Sequence, residues 1–166
     1  MLLLPLHIAL LHLVIDPACT VVFEAIPGTA SQMRRPPRAP EAPLFGPATW
    51  RRALWQGGTL TAAALVLSHW PGLGTQAHRS LVFALLLIAG GGLVWVNGEP
   101  RHRLTRLGAA MGVGLWLLVQ AIPGLPALLA LVPLGQGAMA ALLVMLLVLA
   151  LLAQISRVGA PSRSPA

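Results

Sequence analysis

Apolar residues run through this chain in long blocks, separated by short polar clusters rich in Arg, Pro and Gly. A helix needs about 20 residues to cross a bilayer. On that measure the blocks predict spans at about residues 2–23, 53–70, 81–97, 109–122 and 137–155. The fold class expected is therefore all-α: a polytopic membrane protein, a bundle of five transmembrane helices, with residues 1–158 as its transmembrane domain. Residues 24–52 (EAIPGTASQMRRPPRAPEAPLFGPATWRR) are too rich in Pro to be helical throughout and predict a loop. The run PGLPALLALVPLGQ at 123–136 holds three prolines and predicts a bent connection or a partial re-entry. Residues 159–166 predict a flexible tail.

Composition agrees with the blocks. The chain is 57% hydrophobic and only 9% charged, where a soluble domain carries about a quarter charged residues. Its formal charge of +7 comes from 11 arginines and no lysine, set against Asp16, Glu24, Glu41 and Glu99. Such a balance suits nucleic acid binding in a soluble protein. Here the arginines sit in short loops beside apolar spans, so the positive-inside rule is the better account and no nucleic acid partner is expected. Arg34, Arg35, Arg38, Arg51 and Arg52 fall in the first loop, Arg101, Arg103 and Arg106 in the loop after the third span, and Arg157 and Arg163 in the tail. Arg79 alone falls on the other side. The expectation is an integral membrane protein of the bacterial inner membrane, with its N-terminus outside, the 24–52 loop and C-terminus cytoplasmic, and the lipid bilayer as its first partner. Trp50, Trp55 and Trp70 are candidate interfacial anchors. A single cysteine, Cys19, excludes an intramolecular disulfide and a Cys-rich metal site. The N-terminus lacks the basic n-region of a signal peptide.

The chemistry concentrates at Asp16, followed by Pro17, inside the first apolar block. An Asp at the centre of a spanning helix costs about 2.5–3.5 kcal/mol on insertion scales, so such a residue is a functional candidate by default. Pro17 lacks an N–H and clashes with the preceding turn, which predicts a kinked or opened helix there. A carboxylate beside freed carbonyl oxygens makes a set of hard ligands for a cation. The alternative is a buried acid, kept neutral by desolvation and bonded to a neighbouring helix. His12 lies one turn earlier on the same face and is a candidate ligand, proton relay or hydrogen-bond partner of Asp16. Thr20, one turn later, is a weaker ligand candidate that also suits back-bonding to its own helix. Cys19 suits packing, Glu24 the membrane edge, and Gln120 interhelical hydrogen bonding. His7, His69, His78 and His102 lack metal-ligand spacing. Gly57 and Gly58, Gly90, Gly91 and Gly92, and Gly108, Gly112 and Gly114 predict close helix packing.

Residues 10–38 (LLHLVIDPACTVVFEAIPGTASQMRRPPR) resemble the sixth transmembrane helix and following cytoplasmic loop of cation-transporting P-type ATPases, especially the bacterial calcium-pump-like group. The Leu-Val-x-Asp core ending at Asp16 and the Met33, Pro36, Pro37, Arg38 ending carry the likeness. Gln56 and Gly57 resemble the start of that family's seventh helix, and residues 80–84 with Asn97 its eighth. The resemblance implies that Asp16 is an ion-ligating carboxylate. His12 departs from the Asn or Glu usual at its position, and Ile15 replaces a hydroxyl residue of the animal calcium pumps. The 166 residues contain no DKTGT phosphorylation motif and no P-loop. The resemblance thus implies the membrane portion of a pump, a fragment that is not an enzyme as an isolated chain. It implies a transported cation, calcium among the candidates, no resident cofactor, and the missing N-terminal part of the pump as partner. Two rivals stay open: a small independent membrane protein that partners or regulates a pump, and a non-functional remnant of a truncated pump gene.

Overall fold

The computed structural model describes residues 3–25, 34, 40–41, 45–99 and 101–158. Most of the Pro/Arg-rich loop, including Met33, Pro36, Pro37 and Arg38, and the whole 159–166 tail lie outside the described residues. The described chain is helical: α1 (Pro5–Glu24), α2 (Pro47–Ser68), α3 (Thr75–Asn97), α4 (Arg103–Ala121), the short α5 (Leu125–Leu128) and α6 (Gln136–Val158). Four of them, α1, α3, α4 and α6, are long and apolar enough to cross a membrane. The fifth long helix, α2, has 22 residues but opens on polar residues that include Arg51, Arg52 and Gln56.

α3 is the centre of the bundle. It packs against α1 and α4, which touch each other, and against α2 and α6, which also touch each other. Every residue from 80 to 85 is buried, so this end of α3 is covered on all sides. That is the position for which an all-round apolar helix is suited. The α3–α4 seam depends on two glycines. A Cβ at Gly91 would strike the Ala109 carbonyl oxygen, and one at Gly112 would strike the Leu87 carbonyl. Only Gly lets two helix backbones come this close. Gly57, Gly58, Gly92 and Gly114 face open space instead.

Three hydrogen bonds tie the 122–135 connection to the bundle. His7 Nε2 donates to the Leu129 carbonyl at 2.7 Å, and Arg79 Nη1 donates to the Ala130 carbonyl at 3.2 Å. The Val132 N–H donates to Ser80 Oγ at 2.8 Å. Gly124 (φ 84°) turns the chain out of α4, and Leu129 and Leu131 are buried. The connection is a packed cap on one end of the bundle. Arg52 and Trp55 make their contacts at the opposite end, to the Val96 and Leu152 carbonyls.

Candidate functional site

α1 turns one face to the bundle and the other away from it. Leu11 and Val22 are buried, and Val14, Ile15 and Ala18 are partly buried on the same side. Ile15 Cδ1 comes within 3.3 Å of where a Cβ on Gly90 would stand. The i, i+4 spacing then carries His12, Asp16 and Thr20 to the outer face, and all three are exposed. The side chains of His12 and Asp16 are 70% and 68% exposed. They hydrogen-bond to each other: His12 Nδ1 lies 3.1 Å from Asp16 Oδ2, as donor to the carboxylate.

α1 does not open at Pro17. The helix is continuous from Pro5 to Glu24, contrary to the interruption that the proline predicts. The flanking turns are held by α3 and α4 through Leu11, Ile15, Ala18 and Val22, and the exposed Pro17 lines a groove beside α4. A spanning helix tolerates a proline when its surroundings keep the turns in place. The missing N–H still removes the i+4 donor of the Leu13 carbonyl. One oxygen near Asp16 is therefore freed without unwinding.

The arrangement is not by itself a metal site. Among the described residues no group of three or more His, Cys, Asp or Glu comes together to hold a metal ion. A calcium ion takes 6–8 oxygen ligands, and magnesium six in strict geometry. Asp16, Thr20 and a freed carbonyl supply too few. Cys19 is half-buried beside the groove between α1 and α3.

A family model described as cation transporting ATPase, C-terminus, matches residues 1–158. The chain belongs to that family. No curated protein and no solved structure matched it. The family is the C-terminal membrane part of a cation-transporting ATPase. Within this ATPase membrane part, the buried Gln56 accepts from Asn97 Nδ2 at 3.1 Å and links the starts and ends of α2 and α3. Ser80 is buried and caps the 122–135 connection. Glu24 is exposed at the end of α1. Gln120 does not serve as expected through its carbonyl: Oε1 is buried without a hydrogen-bond partner among the described residues. His7, dismissed on spacing, is fully buried and bonded at both ring nitrogens, to Leu4 N and the Leu129 carbonyl. Its place one turn before Leu11, on the buried face of α1, is the signal that the sequence offers.

Proposed function

We propose that the chain forms the sixth-to-tenth-helix portion of the membrane domain of a P-type cation pump of the bacterial calcium-pump-like group. In this reading Asp16 contributes its carboxylate to the cation pathway, with His12 orienting it and Thr20 as an additional oxygen. The carrying observation is the outward face of α1, where His12 and Asp16 are exposed and hydrogen-bonded to each other rather than to another helix of the described bundle. An ionisable residue at membrane depth normally faces a bundle interior or a water-filled cavity. Asp16 meets neither here, so further helices of the pump belong against this face, bringing the remaining ion ligands. The basic end of the bundle belongs in the cytoplasm of the cell, with the N-terminus of α1 outside. The missing pump chain supplies the phosphorylated aspartate and the nucleotide site.

The test is reconstitution with a chain that carries those domains and the preceding helices. ATP-driven cation uptake should appear only with both parts, and Asp16→Asn should abolish it. Uptake unchanged by Asp16→Asn would remove Asp16 from the pathway.

A further inference from the structure

Between α2, α3 and α6 lies a slot of about 370 Å³, remote from the Asp16 face. Its walls are apolar along most of their length, formed by Leu60, Ile88, Leu93, Leu146 and Leu149. Polar side chains enter only from Gln56, Thr59 and Gln154. The Thr59 hydroxyl is already bonded to the Trp55 and Gln56 carbonyls. Gly92, Trp95, Ala150 and Gln154 are both lining and exposed, so the slot opens sideways out of the bundle. Gly92 sits at this opening, and a Cβ there would meet nothing within 4 Å. Volume and lining fall in the range of small-molecule sites between bundle helices.

Depth and charge decide what fits. From Ile88 to Val96 the slot follows α3 for roughly 12 Å at 1.5 Å per residue. That is less than half of the roughly 30 Å hydrocarbon core, the depth of one leaflet. A transmembrane helix of a partner protein needs the whole thickness; a lipid tail needs only its own leaflet. The mouth carries a cation. Arg52 Nη2 donates to the carbonyl of Val96, itself a lining residue, at 3.2 Å. Arg52 Nε is buried without a hydrogen-bond partner among the described residues. Arg51 and Arg52 adjoin, and Trp55 bridges α2 to α6 by donating to the Leu152 carbonyl at 3.3 Å. An aromatic ring and a guanidinium at one rim match the headgroup level of a bilayer.

We infer that this slot holds one acyl chain of an anionic phospholipid, with its phosphate at Arg52. The purified full chain in detergent tests it by native mass spectrometry, titrated with phosphatidylglycerol and, separately, phosphatidylcholine. Wild type should retain one phosphatidylglycerol at lower lipid concentration than phosphatidylcholine. Gly92→Leu fills the slot and should lose the bound lipid, and Ala150→Leu fills it from the opposite wall should either variant fold poorly. Gly114→Leu, an equal enlargement facing open space on α4, should keep it. Arg52→Gln should weaken phosphatidylglycerol about fivefold and erase the preference over phosphatidylcholine, one basic residue near a lipid surface contributing about that factor. Lipid retained by both slot-filling variants would overturn the inference. So would equal retention of the two lipids by wild type, or an unchanged preference in Arg52→Gln.

Discussion

His7 on α1 and Leu129, 122 positions later in the chain, are joined by a 2.7 Å hydrogen bond from ring nitrogen to carbonyl. The Leu4 N–H donates to the other ring nitrogen at 3.0 Å, so the geometry requires the hydrogen on Nε2. The ring is fully buried and tilted against Phe83, 5.3 Å between centroids. His7→Phe keeps the apolar contact but strands both hydrogen-bonding groups. A loss of about 1–3 kcal/mol is expected, the cost of leaving a buried polar group unmade. Unfolding of the purified chain in mixed micelles measures it, and a midpoint equal to wild type would contradict the pinning role.

The glycine seam makes a prediction with its own control. Gly112→Ala drives a Cβ into the Leu87 carbonyl, which belongs to backbone and cannot rotate away. α3 and α4 must separate, at about 1–3 kcal/mol for an overpacked core. Gly114→Ala, two residues on, meets nothing within 4 Å. It should hold or raise stability by up to about 1 kcal/mol, through helix propensity alone. Equal effects of the two would mean that backbone approach does not limit the seam.

Hydropathy located the long helices but not their ends. α2, α3 and α4 begin at residues 47, 75 and 103, each about six residues before the apolar block. Helix hydrogen bonding continues past the hydrocarbon, where Arg51, Gln76 or Arg106 is solvated, while hydropathy marks only the depth of lipid. Pro47 at the start of α2 is a positive start signal, its fixed φ suiting the first helical turn. Gly91 and Gly112 were legible as packing residues, but nothing local distinguished them from Gly92 and Gly114. Partners on α3 and α4 make that difference. The same reason hid His7: its acceptor is a carbonyl that only the folded connection brings near. At Pro17 the expected opening does not occur, because packing holds the turns on both sides of it. The outward direction of Asp16 depends on which face Leu11 and Val22 bury, which the 3.6-residue period alone leaves open.

Orientation is testable without any pump. Arg51 and Arg52 in the first turns of α2, and Arg101, Arg103 and Arg106 at the start of α4, lie at the end of the bundle opposite the capped end that holds Arg79. The positive-inside rule puts the basic end in the cytoplasm. With Cys19 replaced, single cysteines at Glu41 and Thr75, both exposed, report the two sides. An impermeant thiol reagent on intact cells should label position 75 and spare position 41. The reverse pattern would invert the topology.

Asp16 should show opposite signs in the isolated chain and in the assembled pump. On the outer face of α1 its carboxylate pairs with His12, and the pair is about two-thirds exposed. An exposed i, i+4 pair contributes about 0.2–0.5 kcal/mol, which does not offset an acid at membrane depth costing about 2.5–3.5 kcal/mol. Asp16→Leu in the isolated chain should therefore favour insertion and raise stability, while His12→Leu should change it less. On the proposed reading the same Asp16→Leu in the complete pump would remove a charged oxygen ligand, and cation uptake should be lost although the protein is better inserted. His12→Asn, which retains a polar side chain at the usual family position, should keep uptake. A buried structural acid predicts the contrary for the isolated chain, namely that Asp16→Leu destabilises it. Insertion efficiency of α1, unfolding of the isolated chain and ATP-driven uptake of the reconstituted pump read these effects separately. Stability falling together with uptake would assign Asp16 to packing; stability rising as uptake fails is the signature of a ligand kept at a cost to the fold.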